Sequence, residues 1–257
     1  MVSGAWRTLG AEIARWRDAG RTVEFWWRDD DAARPGPAMA RLLALAAQAQ
    51  VPLALAVVPD QAEPALLERL GADVDVLQHG FDHRNRAAAG EKKTEFPAGE
   101  PAESALARLA AGRSRLEALA GARSLGVLAP PWNRFAPDLV PKLAAAGFHG
   151  LSRYGARGAP EAAPGLRQIN THVDIIAWRS GRGFVGEVEA LGQAIRHLAA
   201  RRNGLADPEE PTGWLTHHAC HDEAAWSFLA RLFEAARDGR GVRWRRAAEL
   251  FSQNLTR

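Results

Sequence analysis

Residues 22–31 of the chain read TVEFWWRDDD, an apolar and aromatic run that ends in three consecutive acids. β-branched and aromatic residues favour a strand, and the acids mark the point where that strand leaves the core. Similar apolar runs recur at residues 52–58, 73–78, 124–129, 148–152, 166–178 and 213–216. Helical patterns lie between most of these runs. Strands that alternate with helices are typical of parallel βα units wound into one sheet or barrel.

The helical patterns have start and stop signals at most of their ends. Ser3 can cap a first helix over residues 3–19. The further predicted helices cover residues 35–50, 64–70, 101–119, 137–146, 184–202, 222–237 and 246–254. Two stretches that are polar or rich in Gly and Pro are predicted to be loops, residues 84–99 and 154–165. Without an internal repeat or a clear linker, the chain is interpreted as one domain over residues 1–257, with the first helix as an extension.

The composition argues against several classes of protein. Hydrophobic residues make up 47% of the 257 residues and charged residues 25%, as in ordinary globular proteins. Lys plus Arg exceed Asp plus Glu by only three, 33 against 30, so no nucleic-acid partner is expected. A single Cys excludes an internal disulfide framework and a Cys-based zinc site. We expect no membrane span and a cytoplasmic location, because no apolar run has the length of a span or of a signal peptide.

Acids and imidazoles follow two of the predicted strands and form a candidate metal site. His79 and His83 are four residues apart, a spacing that puts both rings on one side of a helical turn. In a barrel, the carboxyl ends of the strands meet at one face, which brings these rings towards the acids Asp29–Asp31. Two His and one carboxylate leave coordination positions open for water and substrate. The sequence therefore predicts a divalent metal site with catalytic potential.

Five short motifs in a fixed order resemble those of the polysaccharide deacetylase (NodB-homology) superfamily, which includes carbohydrate esterase family 4. They are RDDD at 28–31, HGFDH at 79–83, PPW at 130–132, Asp174 and LTH at 215–217. The resemblance spans residues 22 to 222. It implies an α/β fold with a single (β/α)7-type barrel, which is either complete or incomplete.

The resemblance also implies a role for each matching residue. The first Asp of a pair is the general base, and the second is a metal ligand together with His79 and His83. Zn²⁺ is the expected ion. A general acid is implied at His217, with Asp174 as the carboxylate that orients it. Pro131 and Trp132 belong to the turn that shapes the substrate groove.

Three consecutive acids fit the motif in two registers. Asp30 as base and Asp31 as ligand is the preferred register, because Ala32 then takes the small-residue position at which the family usually has Gly. Asp29 precedes the pair in this reading and is a candidate for a supporting role. Asp29 as base with Asp30 as ligand stays open as the alternative.

The chain departs from the family pattern at two further places. Gly80 stands where the family usually has Ser or Thr after the first His. Ala129 stands where an Arg usually precedes the Pro pair, and the candidates to supply that charge are Arg28 and Arg134. His217 and His218 are neighbours on a strand end and must point in opposite directions, so only one can face the metal.

The predicted function is that of a metal-dependent hydrolase that removes an N-acetyl group from an amino sugar or a glycan precursor. A cytoplasmic location favours a precursor over a cell-wall polymer as the substrate. Two alternatives stay open. One is an amidohydrolase of the same fold that acts on a small non-sugar amide. The other is a non-catalytic carbohydrate-binding protein, which the complete set of base, ligands and acid disfavours.

Overall fold

The 22–31 stretch forms most of the longest strand of the computed structural model, Val23–Ala32 (β1), within a mostly parallel sheet. The structure describes residues 4–237, 239 and 241–252. Ser3 and the end of the last predicted helix, residues 253–254, lie outside the described residues. No helix within the described part is both long and apolar enough to cross a membrane.

The other strands are short. They are Leu53–Val57 (β2), Val74–Gln78 (β3), Ser124–Leu128 (β4), Gly150–Leu151 (β5), Glu161–Ala163 (β6), Leu166–Gln168 (β7), Val173–Asp174 (β8), Thr212–Thr216 (β9) and Val242–Trp244 (β10). The helices are Gly4–Asp18 (α1), Pro37–Ala49 (α2), Pro64–Leu67 (α3), Ala102–Ala120 (α4), Glu187–Arg202 (α5), Glu223–Ala235 (α6) and Ala247–Leu250 (α7).

The strand order is β6-β7-β5-β4-β3-β2-β1-β9-β8, and β10 pairs with the start of β1. All of these pairs are parallel except the β6–β7 hairpin. The sheet curls but does not close, because its order ends at β6 on one side and at β8 on the other. The prediction of an incomplete (β/α) barrel is therefore confirmed.

Side chains alternate between two faces along β1, and this alternation decides what each residue meets. Phe25 and Trp27 belong to the large apolar cluster between the sheet and its outer helices. Trp26 belongs to a different cluster inside the barrel, with small residues from the neighbouring strands such as Ala54 and Ala56. By the same alternation, Arg28 and Asp30 point inwards, whereas Asp29 points towards the outer layer.

Two predictions of local structure were wrong, and one strand was not predicted. Residues 161–163, predicted as loop, form β6 through an antiparallel hairpin with β7. The strand β10 was not predicted, since Val242–Trp244 is too short to give a periodic pattern. Residues 137–146, predicted as an α-helix, form a 3-10 helix over Pro137–Lys142 followed by a turn, and Pro141 lies inside the 3-10 helix with no N–H to donate to an α-helical ladder.

Candidate metal centre

Asp31, His79 and His83 meet at the carboxyl ends of β1 and β3. Nε2 of His79 lies 3.1 Å from Oδ1 of Asp31, and Nε2 of His83 lies 3.2 Å from the same oxygen. Two ligands about 2.1 Å from a tetrahedral zinc ion are separated by about 3.4 Å, close to these two spacings. These three side chains therefore offer a donor set that could hold a divalent metal.

Backbone conformation turns two of the three side chains towards the centre. Asp31 and His83 have φ angles of 65° and 57°, in the left-handed region that few non-glycine residues adopt. His79 is oriented differently, because its Nδ1 lies 2.8 Å from the carbonyl oxygen of Ala129. That contact fits a hydrogen on Nδ1, so Nε2 is the nitrogen that faces Asp31. In the protonated ring Nε2 donates to the Asp31 carboxylate, and in the neutral ring its lone pair is free for a metal, as a metal-ligating His requires.

The charges of the centre favour the ionised carboxylate. Burial by itself would raise the pKa of Asp31, but hydrogen bonds from His79 and His83 outweigh burial and hold that pKa well below its usual value. Burial lowers the pKa of His79, whereas the charges of Asp30 and Asp31 outweigh it and raise that pKa. Asp31 is also the most accessible of the three acids, with 41% of its side chain exposed.

Glu95 organises the loop that carries the two His. Its buried carboxylate accepts hydrogen bonds from the backbone N–H groups of Phe81, Asp82 and His83, at 2.9 to 3.2 Å. Gly80 precedes them with a φ of 62°, and a Cβ there would collide with the Glu95 carboxylate and lie 2.7 Å from the Pro131 ring. The departure from the family's Ser or Thr at position 80 thus has a steric reason.

Arg28 binds both carboxylate oxygens of Asp30 inside the barrel. Its Nε lies 2.8 Å from Oδ1, and its Nη2 donates to Oδ2 at 2.9 Å. The guanidinium also donates to Oγ of Ser152 and to Oδ1 of Asn133, both at 2.6 Å. Arg134 is exposed and donates to the Lys93 carbonyl oxygen instead. Of the two candidate arginines, Arg28 is therefore the one that contacts an acid of the triplet, Asp30.

Asp29 belongs to a separate buried network on the outer face of the sheet. Its Oδ1 lies 2.6 Å from Nδ1 of His218, and its Oδ2 accepts bonds from Oγ1 of Thr216 and the backbone N–H of His218. Burial alone would raise the pKa of Asp29, but the charge and hydrogen bond of His218 outweigh it and lower that pKa. The same contact raises the pKa of His218 despite its burial.

His217 lies on the inner side, because its neighbour Thr216 pairs with Asp29 on the outer side. Its ring packs edge-on against Trp178, with ring centroids 4.6 Å apart. Nδ1 of His217 has no hydrogen-bond partner among the described residues. Among the described residues no hydrogen bond joins Asp174 to His217; the two carboxylate oxygens of Asp174 accept bonds from the backbone N–H of Ile176 and the indole N–H of Trp178.

The PPW turn forms the wall beside His83. Pro131 is buried, and the Trp132 ring lies 4.4 Å from the His83 ring between centroids. Trp132 and Asn133 have φ angles of 55° and 56°, so this turn is held in a strained conformation. Trp178 on the opposite side is 43% exposed.

Sequence reasoning missed several residues that shape the centre. Glu95 lies in the stretch predicted to be loop, and Asn133 and Ser152 give no signal in the sequence because each is remote in sequence from Arg28. A carboxylate, an amide and a hydroxyl of this kind are recognisable only once their partners are known.

The chain was compared with known families, curated proteins and solved structures. No protein-family profile and no curated protein matches it. A Mycobacterium smegmatis protein assigned to the polysaccharide deacetylases has a TM-score of 0.63 and 17% identity, with 90% of each chain covered. A peptidoglycan N-acetylglucosamine deacetylase has a TM-score of 0.55 and 14% identity, with 89% of this chain and 87% of that chain covered.

A family 4 acetyl xylan esterase from Clostridium thermocellum, in complex with a cobalt ion, also shares the fold. Its TM-score is 0.52 at 13% identity, with 89% of this chain and 90% of that chain covered. At such identities the similarity establishes the fold. The fold expected from the five motifs, that of the polysaccharide deacetylase superfamily, is therefore confirmed.

Proposed function

We propose that the chain is a metal-dependent deacetylase that hydrolyses an N-acetyl group on an amino sugar or a glycan precursor. The observation that carries the proposal is the convergence of Asp31, His79 and His83, with Asp30 and His217 on the same inner face of the barrel. The fold shared with deacetylases and an acetyl esterase supports the same conclusion.

A divalent ion, with Zn²⁺ expected, would be held by Asp31, His79 and His83. The donor set fits, since two imidazole Nε2 atoms and one ionised carboxylate are preferred zinc ligands. The ion would supply Lewis-acid polarisation of the acetyl carbonyl and make water more acidic. Glu95 keeps the His-bearing loop in the conformation that this donor set needs.

Asp30 would act as the general base that takes a proton from the attacking water. Arg28 binds both of its oxygens and is itself held by Ser152 and Asn133, so the carboxylate has a fixed orientation. A fixed carboxylate loses little entropy when substrate binds. The contacts of Asp29 support the Asp30–Asp31 register, because Asp29 is bound to His218 and Thr216 on the other face of the sheet.

His217 would deliver a proton to the departing amine nitrogen, without which cleavage of the C–N bond would expel an unstable amide anion. The ring position is set by edge-on packing against Trp178, whose indole is bound to Asp174.

The test measures bound metal, acetate release and, for the cyclic amides, ring opening on the same preparation. The substrates are N-acetylated sugars, O-acetylated sugars and small cyclic amides. We expect one divalent ion per chain and acetate release from an N-acetylated sugar, with both lost in His83→Ala. His149→Gln is the matched control, because His149 lies at the opposite, amino-terminal end of β5. A metal-loaded protein that cleaves only cyclic amides would identify the amidohydrolase alternative, and one that cleaves nothing would contradict catalysis.

A further inference from the structure

Three exposed cations lie close together on the wall of the metal centre that the PPW turn forms. Lys92 and Lys93 belong to the loop after β3, and Arg134 belongs to the loop after β4. Nη1 of Arg134 donates to the carbonyl oxygen of Lys93 at 2.9 Å, and Oγ1 of Thr94 donates to the carbonyl oxygen of Arg134 at 3.1 Å. These two bonds join the loops, so the guanidinium lies against the backbone of the lysines. We call Lys92, Lys93 and Arg134 the basic cluster.

The backbone of the basic cluster lies beside His83. Lys93 is two residues from Glu95, whose carboxylate accepts the backbone N–H of His83 at 3.2 Å. Arg134 is two residues from Trp132, whose ring lies 4.4 Å from the His83 ring between centroids. Two residues of extended chain span at most about 7 Å. The His83 side chain is 26% exposed, so the cluster borders on the accessible side of the donor set.

Within the described part of the chain, no carboxylate neutralises the basic cluster. The ion pairs of these loops involve other residues, such as Arg86, whose Nη2 lies 2.6 Å from Oδ2 of Asp82. Glu91, the acid directly before Lys92, is exposed and accepts the backbone N–H of Ala88 at 3.3 Å. Three positive charges are thus set against one exposed carboxylate. Like charges this close repel one another, and an anion that binds between them would remove that repulsion.

The donors of the basic cluster match phosphate and carboxylate groups. A guanidinium presents its N–H groups in a planar fork that fits either anion, and an ammonium adds a compact charge. Of the Arg134 guanidinium, only Nη1 has a hydrogen bond to another described residue, which leaves Nε and Nη2 for a ligand. The proposed deacetylation uses none of these groups.

We propose that the basic cluster binds an anionic group, a phosphate or a carboxylate, that is covalently attached to the sugar losing its acetyl group. Attachment to that sugar follows from position, because Lys93 and Arg134 are each two residues from a group that contacts His83. This proposal rests on the proposed function, and it makes the substrate an anionic acetylated sugar in place of a neutral one.

The opposite wall of the centre carries a matched pair of cations. Arg179 and Arg182 are exposed on the turn after Trp178, and the backbone N–H of Arg182 donates to the carbonyl oxygen of Ala177 at 3.1 Å. Trp178 packs against His217, so this turn borders on the centre from the other side. Replacing both arginines by Gln removes two positive charges without changing the basic cluster. This double variant therefore separates binding at the cluster from the general charge of the face.

The first experiment measures kcat/KM for N-acetylglucosamine, its 1-phosphate, its 6-phosphate and N-acetylmuramic acid, which carries a carboxylate. We expect at least one anionic sugar to be about tenfold better than the neutral one in the zinc-loaded protein. The double variant Lys93→Gln/Arg134→Gln should lose most of this preference, and Arg179→Gln/Arg182→Gln should keep it. The preferred sugar identifies the anion as phosphate or carboxylate. Equal kcat/KM for all four sugars, or an equal preference in both double variants, would overturn the proposal while acetate release upheld the proposed function.

The second experiment does not depend on turnover. The same sugars are titrated calorimetrically into the wild type and both double variants in the presence of zinc, so that a phosphate bound to the ion contributes equally to all three. Lys93→Gln/Arg134→Gln should bind at least one anionic sugar about tenfold more weakly than the other two proteins, and neutral N-acetylglucosamine equally. If no sugar is cleaved, the proposed function fails, and this titration still decides whether the basic cluster binds an anion. Equal affinities in the two double variants, or no binding of any anionic sugar, overturns that binding.

Discussion

Single residues in unusual backbone conformations surround the candidate metal centre. Among the described residues with a positive φ that are not glycine, Asp31, His83, Trp132 and Asn133 lie at this centre. Such conformations cost about 1 kcal/mol or more each and persist only where the surroundings impose them. Glu95 constrains the loop by accepting a hydrogen bond from the backbone N–H of His83. Arg28 constrains the other side by donating to the side chains of Asp30 and Asn133. These strained conformations hold the side chains of the candidate centre in the positions described above.

Substituting Asn for Asp30 and Asn for Asp31 should have different effects on bound metal and on kcat. Asp30→Asn should keep the metal and lower kcat about 10²–10⁴-fold, since it removes only the base. Asp31→Asn should lose metal, because an amide is a much weaker zinc ligand than a carboxylate. Bound metal and kcat are measured on both proteins. Metal loss in Asp30→Asn with retention in Asp31→Asn would favour the other register.

His217 and His218 provide a matched pair for the general acid. His217→Gln should keep fold and metal but lower kcat about 10²–10⁴-fold. His218→Gln should instead destabilise the fold by about 3 kcal/mol, because it leaves the buried Asp29 carboxylate without its cationic partner. Urea unfolding and kcat separate the two effects. Loss of turnover at unchanged stability in His218→Gln, with a normal His217→Gln, would reverse the assignment.

At the scale of elements, the short helix α7 closes the amino-terminal end of the barrel. Ala247, Leu250 and Phe251 pack into the inner apolar cluster beneath Trp26. The helix is held there by Asp75 of β3, a buried carboxylate. It accepts bonds from the Arg246 guanidinium at 2.8 to 3.2 Å and from the backbone N–H of Ala248 at 2.8 Å. A four-residue helix has little stability of its own, so this contact fixes its place.

Asp75→Ala should therefore destabilise the fold by about 3 kcal/mol, since it leaves the Arg246 charge and a helix N–H without their partner. Glu249→Ala is the control, because Glu249 is nearly half exposed and its pair with Arg245 should be worth less than about 1 kcal/mol. Urea unfolding measures both variants. Equal effects of the two substitutions would mean that α7 does not depend on Asp75.

At the scale of the molecule, the open barrel leaves an edge at β8 that α5 and the loop after β5 cover. The stacked His172 and His197 rings lie under this cover. Burial lowers the pKa of His197 to about 2, with further contributions from the charges of His172 and Arg201. Burial also lowers the pKa of His172, although Glu210 opposes that effect. Both rings are therefore neutral in the folded protein at neutral pH.

The lowered pKa of His197 predicts that acid weakens the fold before the carboxylates titrate. Below about pH 6.5 the unfolded chain binds a proton at this ring and the folded chain does not, so the free energy of unfolding falls as pH falls. Between pH 7 and 5 the loss contributed by His197 should be about 2 kcal/mol. It is obtained as the difference between the wild type and His197→Gln, because His79 and His218, whose pKa values are raised, change the free energy of unfolding in the opposite direction. Urea unfolding across this range in the wild type and in His197→Gln checks it. The free energy of unfolding should change less with pH in the variant than in the wild type. Identical slopes in the two proteins would contradict the prediction.

The parts of the fold that the sequence predicted are those with local signals. Strand–helix alternation and the five ordered motifs indicated the incomplete barrel, and helix α1 and the longer strands lie close to their predicted bounds. The strands β6 and β10 are three residues each and exist only through their pairing with β7 and β1. Pairing between remote segments leaves no periodic pattern in either segment, so these strands could not be predicted.

For the candidate site, the sequence by itself determined which residues carry metal-binding chemistry and that they follow strands. Tertiary structure decided the different surroundings of the three acids, since Asp29 meets His218 only across the β1–β9 pair and Asp30 shares the inner face with Arg28. It also decided that Glu95 would hold the His-bearing loop. The physical reason is that residue type fixes what a side chain can bind, whereas strand alternation and long-range pairing fix which partner it reaches.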